Sequence, residues 1–407
     1  MSAGKTTVLV IFGGRSPEHD ISIVTGLQVL SALDPDAYHA IPLYIAGSGE
    51  WYVGDALGKR DFYVPGTEQL KSLVRVSLQP GSAGRPSLLS HPRSIFGRQR
   101  AIEFDIALPA LHGLFGEDGR VQGALETVGA PYTGMRTLAS AVLMDKALTK
   151  HLMAKDGLVN DGISVLDHRE IVRPSQGLLR TPSELEAQLG DVKFPCCIKP
   201  AHLGSSIGVA KVSDWNELSS VLPNIFRYDD LAILEPFVDN LIEYNISVRR
   251  VGERFETSAI ERPKHSSELL DFKSKYLSGS NKGAGTKIPG QSSEGMLSLT
   301  RELNPQLSED MENKIRGWAV KAFARVGGTG APRVDFLCNA QTGELWLNEI
   351  NPCPGSFGYF LWEAAAKPLL FSELLDALIA EGLELSRRNH LPPDPTPADA
   401  RLFARKA

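Results

Sequence analysis

Four polar residues near the C-terminal end of the chain have the types and spacing of a metal and phosphate site. Arg333 and Asp335 are two positions apart in one β-like run, and Glu349 and Asn351 are two apart in the next. Side chains alternate along a strand, so a hairpin in suitable register places all four on one face. Carboxylate and amide oxygens are hard ligands that suit Mg²⁺, which completes its shell with phosphate oxygens and water. The spacing therefore predicts a Mg²⁺ site beside a guanidinium group.

The alternative for this hairpin is a solvated sheet face that carries ion pairs. The apolar residues of the same two runs decide between the two, because they alternate onto the opposite face and predict packing against a core. These residues are Val334, Phe336, Trp346 and Ile350. A Pro354-Gly355 turn follows the second run, and we favour the metal site.

A loop of small residues, from His202 to Gly208, separates two further β-like runs. Its backbone N–H groups can approach phosphates closely. It is not a Walker loop, because the chain contains no GxxxxGK[S/T], and a plain Gly-rich turn is the alternative. Lys199, just before the loop, and Lys146 upstream are cations suited to holding phosphates, although a surface lysine is the alternative for each.

The run 231–238 (LAILEPFV) predicts a strand that leads into a Pro-containing extended segment. Such a segment leaves backbone groups available to an adenine edge. Glu243 follows and can accept hydrogen bonds from ribose hydroxyls. A strand end with an exposed glutamate is the alternative.

Two polar loops follow predicted parallel strands in the first third of the chain: residues 13–20 (GGRSPEHD) and 111–119 (LHGLFGEDG). Ligands of α/β sheets bind at the carboxyl ends of such strands. Glu18 offers a carboxylate to an amino group, and His112 offers a hydrogen-bond donor to a carboxylate. Each residue could also be structural when taken alone.

The elements that must position these residues fall into two parts. In the first part, strands and helices alternate, which predicts a parallel sheet: strands 7–12, 40–45 and 104–111, and helices 21–33 and 121–129. Residues 46–100 are rich in Gly, Pro and Ser and predict an insertion of short strands and loops.

An amphipathic helix is predicted over 139–155, and the second part of the chain follows it as an antiparallel α+β unit. Its predicted elements are strands at 243–250, 254–261, 332–338 and 344–351, and helices at 215–222, 308–326 and 367–382. A polar stretch covers 274–292, and a weakly ordered tail covers 386–407.

Composition limits the class of protein. A chain of 407 residues suits two or three α/β units rather than one core. A formal net charge of −5 and a pI near 6.0 give no electrostatic footprint for nucleic acid or an anionic membrane. No apolar run approaches the roughly 20 residues of a membrane helix, and the N-terminal segment does not resemble a signal peptide. We expect a cytoplasmic protein whose partners are small molecules, without nucleic acid or membrane.

The four cysteines have neither the spacing of a metal site nor that of a CxxC pair. Cys196 and Cys197 lie in a β-like run and are interpreted as small buried hydrophobes. Cys353 lies beside the predicted metal site, where a reactive thiol is an alternative.

Taken together and in chain order, these segments resemble the D-alanine–D-alanine ligase family. The resemblance runs from residue 7 to residue 355, apart from the insertion. It rests on seven blocks: GGRSPEHDIS, ALHGLFGEDGRVQG, YTGMRTLASAVLMDK, IKPAHLGSSIGVAKV, DFKSKY, RVDF and LNEINPCPG.

The resemblance implies a fold that is α/β and α+β: an ATP-grasp fold preceded by an N-terminal Rossmann-like domain with a parallel sheet. The implied units are a substrate-binding domain (1–138, with the insertion 46–100), a central ATP-grasp subdomain (139–235), a C-terminal ATP-grasp subdomain with the metal site (236–385), and a tail (386–407). ATP is expected between the two subdomains, and a homodimer is expected as the assembly.

The activity that the resemblance implies is ligation through an acyl phosphate. One D-alanine is activated by ATP with two Mg²⁺ ions, Mn²⁺ being the alternative metal. The amine of a second D-alanine then displaces phosphate, leaving a dipeptide for peptidoglycan synthesis. Such chemistry needs charge neutralisation around the γ-phosphate and exclusion of water, so segment 264–290 is expected to act as a lid.

The family's residue roles transfer to matching positions of this chain. Contacts to the ATP phosphates are implied for Lys146, Lys199, Lys275 and a flap of Gly204, Ser205 and Ser206. Contacts to adenosine are implied for Glu235, Phe237, Val238 and Glu243. The Mg²⁺ ligands are Asp335, Glu349 and Asn351, and the oxyanion is stabilised by Arg333 and the Gly355 N–H. Glu18, held through Ser205 and Tyr276, orients the ammonium group of the first substrate, and His112 contacts its carboxylate.

Two departures from the family pattern leave alternatives open. Phe360 stands where a hydroxyl that receives the second substrate's carboxylate is expected, within an aromatic cluster of Phe357, Tyr359, Phe360 and Trp362. Pro236 replaces a basic residue beside the adenine, and Asn245 competes with Glu243 for the ribose. We therefore keep two further hypotheses: an ATP-grasp ligase with a different acceptor amine, and a nucleotide-binding protein without catalysis.

Overall fold

The first sheet lies in the N-terminal third of the computed structural model, which describes residues 4–63, 67–81, 85–91, 98–154, 162–175, 180–264, 301–388, 396–397 and 400–401. β1 (Thr6–Gly13) lies between β2 (Tyr38–Ile45) and β7 (Ile106–Pro109) and pairs in parallel with both. Helix α1 (His19–Ala32) connects β1 to β2. The predicted parallel core of this sheet is confirmed.

Residues 46–100 extend the same sheet with antiparallel strands, so the predicted short strands are confirmed. These are β3 (Trp51–Val53), β4 (Val74–Gln79) and β5 (Ser87–His91). Just after the insertion, β6 (Ala101–Glu103) pairs with β5, and the sheet order is β6-β5-β4-β3-β2-β1-β7. Helix α2 (Arg120–Thr127) follows β7.

The helix predicted over 139–155 is two helices, α3 (Thr137–Met144) and α4 (Lys146–Met153). Asp145 separates them, because its backbone is extended and its side chain accepts a hydrogen bond from the Leu148 N–H at 2.9 Å. This is a helix N-cap, which begins a new helix and so ends the preceding one. The break places Lys146 in the first turn of α4.

The central sheet is antiparallel, as predicted, with the order β10-β9-β11-β8. Its strands are β8 (Arg169–Val172), β9 (Cys196–Pro200), β10 (Ala210–Val212) and β11 (Leu231–Pro236). Helices α5 (Pro182–Leu189) and α6 (Trp215–Ile225) cover it and bury Leu185, Leu189, Leu218 and Leu222 against the strands.

The C-terminal sheet has the order β14-β13-β12-β15-β16. Its strands are β12 (Leu241–Val251), β13 (Arg254–Pro263), β14 (Arg301–Leu303), β15 (Arg333–Asn339) and β16 (Leu345–Asn351). Helix α7 (Glu309–Arg325) packs on one face through Ile315, Trp318, Ala319 and Phe323. The other face carries the polar residues of the predicted site.

A β-bulge in β16 corrects one expectation for the hairpin. Asp335 pairs with Glu349, but Phe336 pairs with Leu347, so Asn348 is the extra residue. Beyond the bulge the alternation is inverted, and Trp346 falls on the side of Asp335, whereas Leu347 is fully buried in the apolar core. The prediction that Trp346 lies on the apolar face was wrong.

The first and last parts of the chain share one core. Val8, Val10 and Phe12 of β1 pack in the same cluster as the last helix, α9 (Phe371–Arg388), together with Phe357 and Trp362. A short helix, α8 (Tyr359–Glu363), precedes α9. Helix α9 begins later than the predicted 367–382 and continues to Arg388, into residues that were predicted to be a weakly ordered tail. This packing brings the loops after β1 and β7 against the segment that follows β16.

Among the residues that the structure describes, none of the helices combines the length and the apolar composition required to cross a membrane.

Candidate active site

The polar face of β12, β15 and β16 brings the predicted metal ligands together. Asp335 is paired directly with Glu349, and Arg333 with Asn351, so these four side chains share one face as the sequence predicts. On the other side of β15, Asn245 pairs with Asp335. The four residues therefore stand on two adjacent strands of a sheet, β15 and the edge strand β16, and strands hold side chains more firmly than a loop does.

Asp335 is the most constrained carboxylate of this face. Its two oxygens accept hydrogen bonds from Nε and Nη2 of Arg333, each at 2.6 Å, and the Asn351 amide donates to it at 2.9 Å. Burial raises the pKa of Asp335 to about 6, although the neighbouring guanidinium acts in the opposite direction. Burial thus favours the neutral form of this carboxyl, and Arg333 favours the charged form.

Glu349, the second predicted metal ligand, is held by the first predicted phosphate ligand. Lys146 Nζ lies 3.1 Å from its carboxylate and also donates to the Leu203 carbonyl at 2.6 Å. Lys199 behaves similarly, because its Nζ donates to the Asn348 side chain at 2.9 Å. Lys146 of α4 and Lys199 of β9 therefore both contact β16, and the residues predicted for metal and for phosphate lie next to each other.

Glu235 lies in a buried ion cluster rather than against an open nucleotide pocket. Lys199 Nζ is 2.8 Å from one of its oxygens and Lys150 Nζ is 2.6 Å from the other, while the Glu235 side chain is 2% exposed. The two cations lower its pKa against the effect of burial. Glu235 thus fixes the lysines, and a direct adenosine contact would require this cluster to open.

Lys150 was not assigned a role from the sequence, although a signal for it exists. Lys146 and Lys150 are four positions apart in α4 and so share one helix face. The phosphate contact predicted for Lys146 therefore also made Lys150 a candidate for the same site.

The remaining adenosine residues lie where β11 passes into β12. Phe237 is half-buried, with Lys211 Nζ 4.0 Å from the centre of its ring, and Val238 is also half-buried. Asn245 is buried and its amide donates to Glu261 at 3.0 Å, whereas Glu243 is half-buried nearer the strand end. Of the two ribose candidates, Glu243 is the more accessible.

The flap after β9 reaches the first sheet. Ser205 and Ser206 both have left-handed backbones, with φ of 53° and 58°, and the Ser205 hydroxyl donates to the Glu18 carboxylate. A side chain at Gly204 would lie 3.2 Å from the same carboxylate. Glu18 is buried. The predicted contact between Glu18 and Ser205 is present, and Lys275 and Tyr276, the other predicted groups here, lie outside the described residues, as does most of the predicted lid.

His112 has both ring nitrogens engaged within the protein. Nδ1 lies 2.8 Å from the Cys353 carbonyl, and Nε2 lies 2.8 Å from the Thr25 hydroxyl. A carbonyl can only accept, so Nδ1 carries the proton and Nε2 accepts from Thr25. Burial lowers the pKa of His112 to about 4, consistent with a neutral ring. In this arrangement the ring holds the backbone at Cys353. To donate a hydrogen bond to a substrate carboxylate, as predicted, His112 would have to break one of these two hydrogen bonds.

Glu117 lies in the same loop as His112, and the sequence predicted no role for it. Its carboxyl accepts from the N–H groups of Gly113 at 2.6 Å and Cys353 at 2.8 Å. Burial, and then the nearby Glu18, raise its pKa to about 8. Cys353 is half-buried, and desolvation raises the pKa of its thiol well above the ordinary value, so the alternative of a reactive thiolate at Cys353 is not supported.

Most of the aromatic cluster after Gly355 is structural. Phe357 and Trp362 are buried, and the Trp362 ring N–H donates to Ser247 at 3.1 Å. Tyr359 packs on Phe371. Phe360 is half-buried, with the Arg301 guanidinium 4.1 Å from the centre of its ring. The argument for an unusual acceptor therefore rests on Phe360 rather than on the cluster.

The chain is similar to known proteins over most of its length. A family model described as D-ala D-ala ligase N-terminus matches residues 7–135, and one described as D-ala D-ala ligase C-terminus matches residues 158–380. A D-alanine–D-alanine ligase of Chlorobium phaeovibrioides is 33% identical over 393 residues, which covers 93% of this chain and 98% of that protein. One of Geobacillus thermodenitrificans is 31% identical over 390 residues, covering 93% and 96%.

Solved structures are similar over nearly the whole chain. The D-alanine-D-alanine ligase from Coxiella burnetii has a TM-score of 0.71 and 26% identity, covering 95% of this chain and 96% of that one. A D-Ala:D-Ser ligase from Enterococcus faecalis has a TM-score of 0.68 and 25% identity, covering 93% of this chain and 100% of that one.

Proposed function

The chain belongs to the D-alanine–D-alanine ligase family of ATP-dependent carboxylate–amine ligases, and we propose that it joins two D-alanine molecules through an acyl phosphate. One observation carries the proposal: two lysines, Lys146 and Lys199, contact the strand of the hairpin that bears Glu349 and Asn351, opposite Asp335. Oxygen ligands for a divalent cation and ammonium groups for phosphates are thereby gathered at the same place. This is the combination that phosphoryl transfer to a carboxylate requires.

The donor set fits Mg²⁺. Two carboxylates and an amide oxygen lie on adjacent strands, and the Asn351 nitrogen donates to Asp335, which leaves its oxygen as the metal-binding end. When bound, Mg²⁺ (two ions, or Mn²⁺ in its place) neutralises phosphate charge and orients the γ-phosphate. We assign Asp335, Glu349 and Asn351 to hold it.

ATP is proposed to lie between the units 139–235 and 236–385. Phe237 and Val238 would face the adenine, Glu243 the ribose, and Lys146 and Lys199 the phosphates, with the flap Gly204–Ser206 above them. Glu235 would act indirectly, by holding Lys199 and Lys150. Lys275 is retained as a γ-phosphate contact from the resemblance.

The first D-alanine is proposed to bind between Glu18 and Arg333. Glu18, fixed by Ser205 and, from the resemblance, by Tyr276, would pair with the substrate ammonium group. The substrate carboxylate oxygen attacks the γ-phosphorus and ADP leaves, giving an acyl phosphate. The amine of the second D-alanine attacks the acyl carbon, and Arg333 and the Gly355 N–H stabilise the oxyanion until phosphate leaves.

A second candidate, a ligase with a different acceptor, is kept because of Phe360. A D-Ala:D-Ser ligase shares this fold with a TM-score of 0.68, and an aromatic ring covered by Arg301 stands at the position in question. The hypothesis of a non-catalytic nucleotide-binding protein is weaker, because the residues proposed for metal and phosphate are present, with Lys146 beside Glu349 and Asp335 paired with Glu349.

The proposal is tested by phosphate release from ATP with a panel of D- and L-amino acids. We expect release to require D-alanine and to form D-alanyl-D-alanine. Release that needs D-alanine together with a different amine would select the second candidate, whereas release independent of D-alanine would reject the main one. Light scattering and cell fractionation would test the homodimer and the cytoplasmic location, which rest on the resemblance and on composition.

A further inference from the structure

The backbone of Cys353 is held on both sides by one loop of the first sheet. Its N–H donates to the Glu117 carboxyl and its carbonyl accepts from His112, both at 2.8 Å, over sequence separations of 236 and 241 residues. Both partners are buried and belong to the loop that follows β7. We call these two bonds the Cys353 clamp.

Each arm of the Cys353 clamp is itself fixed. The second oxygen of Glu117 accepts from the Gly113 N–H at 2.6 Å, and the second nitrogen of His112 accepts from Thr25 at 2.8 Å. Because every polar atom of the two arms has a defined partner, the arms have little freedom to rotate, and rigid supports of this kind position a neighbouring group accurately.

The chain is held again just beyond Gly355. The Ser356 N–H donates to the Thr25 hydroxyl at 3.2 Å, and the Ser356 hydroxyl bonds to Gln28. Ser356 and Phe357 have left-handed backbones, with φ of 51° and 56°. Non-glycine residues keep this conformation only where the surrounding structure holds it. Gly355 therefore lies between two anchored residues.

We propose that Glu117 and His112 are positioning residues of the ligase: through the Cys353 clamp they set the location of the Gly355 N–H. The inference rests on the proposed function, in which this N–H stabilises the oxyanion. It assigns to His112 a task different from direct contact with the substrate carboxylate.

The physical reason is that an oxyanion donor works only if it is already in place. A preorganised N–H costs no reorganisation during the reaction, whereas a displacement of about 1 Å in a reacting geometry can cost roughly a hundredfold in rate. The loop 352–358 follows the C-terminal sheet, whereas the loop after β7 belongs to the first sheet, as does part of the pocket proposed for the first substrate. The Cys353 clamp connects these two loops beside Gly355, where the N–H has to be aligned with the substrate.

The test compares Glu117→Gln with a matched control, Glu381→Gln. The carboxylate of Glu381 likewise accepts a hydrogen bond from a backbone N–H, that of Gly330 at 2.7 Å. Glu381 lies on α9, and its hydrogen bond does not hold the loop 352–358. We expect Glu117→Gln, which keeps one accepting oxygen, to lower kcat by roughly tenfold or more while the KM for ATP changes less than twofold. Glu381→Gln is expected to lower the melting temperature to a similar degree without this loss of kcat.

The decisive measurement is the combination with Gly355→Pro, which removes the N–H. If the Cys353 clamp acts through that group, Glu117→Gln has little further effect on kcat in the Gly355→Pro background, because the two changes remove one interaction. Independent, multiplicative losses overturn the proposal. So does an equal loss of kcat in Glu117→Gln and Glu381→Gln.

A second pair of variants covers the case in which Glu117→Gln does not fold. His112→Asn keeps a donor near the position of Nδ1, and His112→Leu does not. We expect the asparagine variant to retain at least tenfold more kcat than the leucine variant, and equal activities overturn the proposal. Wild-type protein without D-alanine-dependent phosphate release would instead reject the proposed function, which keeps the two failures distinguishable.

Discussion

The ammonium group of Lys146 lies 3.1 Å from the carboxylate of Glu349, so a cation predicted for phosphate is paired with a ligand predicted for Mg²⁺. Their side chains are 10% and 22% exposed, and the pair is therefore only partly screened by water. In the proposed complex, a phosphate would replace the carboxylate as the partner of Lys146, and the metal would replace the ammonium group as the partner of Glu349. Without nucleotide, the ion pair avoids two partly buried, unpaired charges.

Replacing Lys146 with methionine is expected to raise the KM for ATP by roughly ten- to a hundredfold, the effect of losing a charge-assisted hydrogen bond of about 1.5–3 kcal/mol. Steady-state kinetics and nucleotide-binding titrations would measure it. Lys367→Met is the control, because this lysine is 86% exposed and its ion pair with Glu256 is long, at 3.7 Å. An unchanged KM in Lys146→Met would remove Lys146 from the phosphate site.

Asp335→Asn is expected to raise the Mg²⁺ concentration needed for half-maximal activity by at least roughly tenfold, since an amide replaces a charged ligand. In the wild type, burial raises the pKa of Asp335 to about 6. A proton competes with the metal below that pH, so the half-maximal Mg²⁺ concentration should rise as the pH falls through 6. Mg²⁺ titrations at several pH values would show this. Asp239→Asn, an exposed substitution, is the control, and a flat pH response in the wild type would contradict the assignment.

Ser205→Ala is expected to raise the KM for the first D-alanine by roughly tenfold, because the Glu18 carboxylate loses a hydrogen bond that helps to orient it. The KM for ATP should change less. Ser213→Ala, beyond β10 in the same part of the chain, is the control. A larger effect on ATP than on D-alanine would place Ser205 in the nucleotide site instead.

The common face of the metal ligands could be predicted from the sequence because it depends on a local rule. Residues two apart on a regular strand share a side, and the pairing of Asp335 with Glu349 then puts both strands' residues on one face. The same rule failed for Trp346, because the bulge at Asn348 adds one residue to β16 and inverts the alternation beyond it. Nothing in the spacing of the chain marks that position.

Other features depended on signals that were present but not used. Thr181 and Glu184 form a capping box that begins α5, and Asp145 is a typical N-cap between α3 and α4. The contacts of Cys353 with His112 and Glu117 differ in kind. They exist because α9 packs on β1, and no local pattern encodes a meeting of residues more than 200 positions apart.

Glu117→Gln is also expected to change how stability depends on pH. Burial first, and Glu18 second, raise the pKa of Glu117 from 4.5 to about 8 in the folded protein. Between these values the folded chain binds a proton that the unfolded chain does not, so this residue makes the free energy of unfolding fall as the pH rises from 4.5 towards 8. Glutamine does not titrate, and the contribution disappears in the variant.

Urea unfolding of both proteins at pH 5, 6.5 and 8 would measure this difference. The comparison is needed because other groups titrate in the same range, among them His112, whose lowered pKa of about 4 makes stability rise with pH between 4 and its ordinary value of 6.5. These contributions cancel between wild type and variant to the extent that they are independent of Glu117. The stability of Glu117→Gln relative to the wild type should therefore improve steadily with pH. Parallel curves would mean that Glu117 keeps its ordinary pKa, and that the carboxyl is better solvated than its contacts with Gly113 and Cys353 imply.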